Sequence, residues 1–170
     1  IDRESDMFRY PFGSNFKALF KQQVNVSLEA THNNMNKAFN IIKDIYDTGA
    51  LSELIYEAHE PQLIIEGGNY YQQSVVGYKY SRYAFYPYYL SYEEVGKFLK
   101  DIITTKKKPN LFMPMCYLYR NAIELGLKRL IVEDSHIESS KALKIIRKKK
   151  HSILGLWNSV AKEIEEYAKK

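Results

Sequence analysis

Arg120, Glu124 and Lys128 recur every four residues within an otherwise apolar stretch, a spacing that brings all three into one narrow sector of a helix. A carboxylate between two cations at that spacing supports a ladder of ion pairs, and three charges on an apolar helix need such partners. A second arrangement lies downstream, where Arg147 and His151 are separated by Lys148, Lys149 and Lys150. On one continuous helix Arg147 and His151 share a face. There a guanidinium can balance the charge of a phosphorane-like transition state while an imidazole moves protons. The competing reading of the same run is a solvated basic linker, with His151 in the first turn of the last helix.

The elements that must hold these residues read as helices. Ser27 can cap a segment in which Leu28, Met35, Ala38, Phe39, Ile42 and Ile45 fall at helical intervals, ending near Gly49. Ser52 opens a shorter helix to about Glu60, which Pro61 closes. Ser91 and Glu94 stand at capping-box spacing ahead of Val95, Phe98, Leu99 and Ile102. Pro109 and Pro114 sit at the start of the helix that carries Arg120, where proline is tolerated. The last helix is expected to gather Leu154, Trp157, Val160, Ala161 and Ile164 on one face. Between the second and third of these helices, tyrosines crowd the span from Tyr70 to Tyr92. They read either as space-fillers with their hydroxyls at a wet boundary or as a base-stacking surface beside Lys79 and Arg82. Gly67-Gly68 marks a turn without the context of a phosphate loop.

The run from Tyr119 to Lys128, and His151 to Trp157 after it, resembles a helix pair of the HEPN-like superfamily. Bacterial members of that superfamily read Tyr-Arg-His-Ala-Ile-Glu-Leu-x-Leu-Lys and then His-x-Leu-x-x-Leu-Trp. The resemblance covers roughly the second half of the chain, with Asn121 where His is usual. It implies an all-α helical bundle that pairs as a homodimer, and an RNA-directed activity of the metal-independent ribonuclease type found in toxin–antitoxin and phage-defence systems. The family's catalytic signature places a His four to six residues beyond an Arg and its polar neighbour. Arg120-Asn121 matches the start, but Leu125, Gly126 and Leu127 fill the positions of the His, and the Arg147 to His151 interval is one residue short. Transferred to this chain, the scheme makes His151 the acid or base, Arg147 or Arg120 the stabiliser of the transition state, and Asn121 the group that orients the scissile phosphate. The alternative implied by the departure is a non-catalytic interaction or dimerisation module, with Glu124 and Lys128 part of a structural polar stripe and a protein or nucleic acid as partner.

In these relatives an Asp-x-x-Ser-x-x-Phe-Arg-Tyr-Pro segment follows the His helix, whereas here it precedes everything else, at Asp2 to Pro11. That order implies a bundle incomplete or rearranged within this chain. Residues 1–50 are accordingly read as the Phe-Arg-Tyr-Pro segment with its helix, and 51–170 as the HEPN-like domain. Arg9 and Tyr10 read as substrate contacts or as a packing clamp beside Pro11.

Composition frames these readings. The chain has 170 residues, 45% of them hydrophobic, enough for one real core. Net charge is +5 and clustered: Lys106, Lys107 and Lys108 precede the Arg120 helix, and Lys141, Lys144 and Arg147 to Lys150 follow it. If the two clusters meet at one end of antiparallel helices they form a basic rim for phosphate backbones. Cys116 is the sole cysteine, which excludes an intrachain disulfide, and beside Met115 and Tyr117 it reads as a core residue rather than a nucleophile. The four histidines are scattered, so no metal site or cofactor is expected. No apolar run is long enough to cross a bilayer, and a cytoplasmic setting is expected.

Overall fold

The computed structural model describes residues 9, 10, 12, 17–20, 22–48, 65–71, 73–76 and 85–169. They belong to two compact units, one built on Phe20–Tyr78 and the other on Ser5–Leu19 together with Lys79–Lys170. The Ser52 to Glu60 helix, Gly49, and Tyr78, Tyr80 and Tyr83 of the tyrosine-rich span lie outside the described residues.

The first unit contains a two-stranded antiparallel sheet that the sequence reading did not anticipate. Strand β1 (Val24–Ser27) pairs with β2 (Gln73–Val76), Val24 facing Val76 and Ser27 facing Gln73. The opposite edge of β1 is also used: Ser27 N–H donates to the Ile65 carbonyl at 2.8 Å and Gly67 N–H donates to the Asn25 carbonyl at 2.9 Å. Gly67 and Gly68 both adopt positive φ, which glycine tolerates, and the turn itself follows at Tyr70 and Tyr71. Helix α1 (Leu28–Thr48) begins where the strand ends, and the Ser27 hydroxyl accepts a 3.3 Å hydrogen bond from Ala30 N–H as its cap. None of the 21 residues of α1 is buried.

The second unit is helical throughout its described elements: α2 (Tyr86–Lys106), α3 (Phe112–Arg129), α4 (Ser139–Lys149) and α5 (Ile153–Ala168). Helices α2 and α3 form an antiparallel hairpin, because Tyr89 packs on Gly126 while Gly96 packs on Tyr119. A 3-10 turn, Pro109–Leu111, joins them, and Pro114 occupies the first turn of α3, where its missing N–H costs nothing. A π-helical turn, Leu130–Asp134, closes α3.

The start of α2 differs from the capping-box reading. The helix begins five residues before Ser91, with Pro87 in its first turn, and Ser91 lies inside it, donating to the Pro87 carbonyl at 2.8 Å. The missing cap comes from a distant residue: the Glu133 carboxylate accepts from Phe85 N–H at 3.1 Å. Burial raises the Glu133 carboxyl above its ordinary range despite that hydrogen bond and the nearby Arg129 charge. The Arg129 Nε stands 3.4 Å from Glu133, an ion pair without hydrogen-bond geometry, while its guanidinium lies 4.5 Å from the centre of the Tyr86 ring.

Helix α3 is central. Leu125 and Ile131 are fully buried with Leu156 and Val160 of α5, and Phe85, Leu127, Ala142 and Ile146 complete the core. Tyr10 and Phe12 pack against this core from the N-terminal segment. The inward stripe of α5 is Ile153, Leu156, Val160 and Ile164; Leu154 and Trp157, expected on the buried face, are exposed. Both stripes satisfy helical spacing, and contact with α3 selects the first.

Candidate active site

Glu124 is a charged residue with no exposed surface, and every group around it is arranged to satisfy that carboxylate. From its own helix, Lys128 Nζ donates to Oε1 at 2.7 Å and Arg120 donates to Oε2 at 3.2 Å. From beyond the helix, His151 Nδ1 approaches Oε1 at 2.9 Å. Burial alone would raise the Glu124 carboxyl. The Lys128 hydrogen bond and charge, followed by those of His151, outweigh burial and hold it below the ordinary carboxylate range.

An ionised carboxylate only accepts, so the His151 tautomer follows: Nδ1 carries the proton shared with Glu124. Tyr10 Oη stands 3.1 Å from the same nitrogen, and the two rings are tilted with centroids 5.5 Å apart. Tyr10 also lies under Lys128, whose Nζ is 4.7 Å from the ring centre. Burial, then the Glu124 charge, raise the Tyr10 phenol strongly. The neutral hydroxyl is the stable form at this position.

The outer rim of this cluster is accessible. His151 exposes 59% of its side chain and Arg120 47%. Arg120 also donates to the His151 backbone carbonyl at 3.0 Å, so one guanidinium positions both the carboxylate and the histidine backbone. That engages two of its five N–H groups. The imidazole Nε2 makes no hydrogen bond to any described residue.

The turn between α4 and α5 delivers His151. Lys150 adopts a positive φ of 50°, ending α4, and the Ser152 hydroxyl accepts from Gly155 N–H at 3.1 Å, starting α5. His151 therefore lies between two helices, not in the first turn of one. Arg147 belongs to the last turn of α4, so the continuous helix that would align it with His151 is interrupted, and it is Arg120 that bonds the His151 backbone carbonyl and shares Glu124 with the imidazole. Asn121 is buried, its amide donating to the Tyr117 carbonyl at 2.8 Å, which turns it back onto its own helix.

The basic clusters are placed separately. Lys106, Lys107 and Lys108 are exposed where α2 turns into α3, with Lys107 in the left-handed conformation. Lys148, Lys149 and Lys150 adjoin His151, which is level with Arg120 and Glu124 on α3. Along α3 those levels are about 15 Å apart at 1.5 Å per residue, so the clusters do not meet at one end of the hairpin. What forms instead is a basic stripe on α4, where Lys141, Lys144, Arg147 and Lys148 are all exposed and lead to His151.

Sequence reasoning did not place Tyr10 in this cluster or join His151 to Glu124. The signal for Tyr10 was the Phe-Arg-Tyr-Pro segment itself, an aromatic clamp set by proline. Cys116 is partly buried on α3, and no group of three or more metal-ligating residues occurs among the described residues. No helix among them is long and apolar enough to cross a membrane. Comparisons with protein-family models, with curated proteins and with solved structures give no match to this chain.

Proposed function

We propose that the second unit is an HEPN-like domain that binds RNA and cleaves its phosphodiester backbone without metal, acting as a homodimer in a bacterial defence or toxin-type system. The observation that carries this reading is the Glu124–His151 pair with Arg120 at its edge. A buried carboxylate orients an exposed imidazole, and a half-exposed guanidinium holds both that carboxylate and the backbone of the histidine. In this scheme His151 Nε2 accepts the proton of a ribose 2′-hydroxyl. The 2′-oxygen bonds to phosphorus, the bond from phosphorus to the 5′-oxygen breaks, and that oxygen takes a proton from water; the hydroxide left behind takes the proton held by the imidazolium, which returns His151 to its starting state. The products are a 2′,3′-cyclic phosphate and a 5′-hydroxyl. Arg120 balances the charge that builds on the phosphoryl oxygens, Glu124 and Tyr10 position the imidazole, and the α4 stripe holds the backbone.

The test is incubation with total RNA and a tRNA panel in EDTA. Cleavage is expected to fall about 10²–10⁴-fold in His151→Ala and about 10²–10³-fold in Arg120→Ala, while Arg147→Ala weakens RNA binding and keeps its rate at saturating RNA. A second reading rests on the completeness of the same cluster: Glu124 finds all its partners inside the chain, as a purely structural clasp requires. RNA left intact by the wild type, with His151→Ala changing only stability, selects that interaction module and removes the catalytic scheme.

A further inference from the structure

Helix α1 carries an apolar seam that no described residue of its own unit buries. Leu28, Met35, Phe39, Ile42 and Tyr46 are between 47% and 88% exposed. With His32 they follow one another at intervals of four, three, four, three and four residues, the alternation of a coiled-coil seam rather than of scattered surface residues. Isolated apolar side chains on a surface need no explanation, but a continuous stripe along a 21-residue helix does.

We infer that α1 pairs antiparallel with α1 of a second copy of this chain. The argument is one of register. In an antiparallel pair each seam residue of one heptad position meets the complementary position of its partner, and a two-fold axis requires the arrangement to be self-complementary. Only one register stacks all six seam residues: Leu28 on Tyr46, His32 on Ile42 and Met35 on Phe39, each contact occurring twice. That register follows from the six seam positions alone, without reference to charge. It also sets Glu29 of each helix opposite Lys43 of the other, two exposed residues of opposite charge flanking the seam. Around the axis it places Ala38 on Ala38 and Asn36 on Asn36, small or polar groups that allow close approach. A parallel pair gains no such match, since its flanking contacts would be Thr31 with Asn36 and Ala38 with Lys43. Lys43 now contacts Asp47 on its own helix at 2.9 Å, an exposed pair that costs little to exchange. His32, the one polar seam residue, is tied to Asn36 at 2.9 Å. This pairing supplies the homodimer of the proposed function and rests on that part of it, but it does not depend on the role given to His151, so its failure leaves the cleavage scheme to the RNA assay.

Light scattering and sedimentation equilibrium of the whole chain test it. The wild type is expected at twice the 20.0 kDa chain mass, and the Phe39→Asp/Ile42→Asp variant at the single-chain mass with unchanged helical circular dichroism. By symmetry Glu29→Lys and Lys43→Glu each create two repulsive pairs, so each weakens dimerisation about tenfold or more. The double reversal restores it, and an equimolar mixture of the two single variants forms a heterodimer. A wild type that stays monomeric at about 100 μM, a dimer indifferent to Phe39→Asp/Ile42→Asp, or a double reversal no better than the single ones overturns the proposal.

Discussion

Glu124 and His151 lie on opposite sides of a burial boundary yet share one proton: the carboxylate is wholly inside, the imidazole mostly outside, and 2.9 Å separates Oε1 from Nδ1. The pair therefore links the interior of the unit to its surface. Removing the carboxylate leaves Lys128, itself 7% exposed, as an uncompensated buried charge. Glu124→Ala is expected to cost about 3–5 kcal/mol in urea denaturation. Glu124→Leu/Lys128→Met, which removes both charges, should regain more than half of that loss. A double variant as unstable as the single one would show that the charge of Lys128 is not what the carboxylate balances.

The Tyr10 hydroxyl gives the fold an alkaline limit. Its pKa is raised in the folded chain above the ordinary 10.0. The associated stability is therefore complete below pH 10 and lost as pH rises from there through the folded value. Tyr10→Phe keeps the ring under Lys128 and removes the titration. Stability against pH above 10 should become flatter in the variant, though not flat, because Tyr89 and Tyr92 shift in the same direction. Equal slopes in the two proteins would show that Tyr10 is not protected.

The reach of sequence reasoning can be judged from particular contacts. The Arg120, Glu124, Lys128 spacing is local, and a four-residue interval on a helix leaves little choice about which side chains meet. Ser27 as the α1 cap is local too. The start of α2 was not legible, because its cap is Glu133, 48 residues away. The four-residue strands were too short for alternation to separate them from coil. In α5 two apolar stripes had equal claim to the core, and only the position of α3 distinguishes Leu156 from Trp157. The site was half legible for the same reason: its helical half follows from spacing, whereas Tyr10 and His151 come from separate segments.

Close approach of α2 and α3 depends on Gly96. A Cβ built there would lie 3.2–3.3 Å from the Tyr119 ring, tight enough that the ring must give way. A larger side chain separates the hairpin. Gly96→Leu is expected to destabilise the protein by about 1–3 kcal/mol, read as a lower denaturation midpoint. An unchanged midpoint would show that the hairpin tolerates the separation.

The basic stripe of α4 should be visible in salt dependence. Each backbone phosphate neutralised on single-stranded RNA contributes about −0.7 to the slope of log affinity against log salt. Lys144→Ala/Lys148→Ala should make that slope shallower by roughly 1.4, with the rate of cleavage at saturation unchanged. The same substitutions at Lys106 and Lys107, about 15 Å away along α3, should leave the slope nearly as it is. Equal effects from both pairs would place the RNA across the hairpin instead.

The hydrogen bond between Tyr10 and His151 spans 141 positions of the chain. During synthesis Tyr10 leaves the ribosome long before its partner exists, and the ladder on α3 can form without either of them. The cluster is thus completed only when the turn after α4 has been made, and a nascent chain halted before that turn has the Glu124 and Lys128 side chains but no imidazole to orient. The order of translation separates the ladder on α3 from the imidazole that completes the cluster.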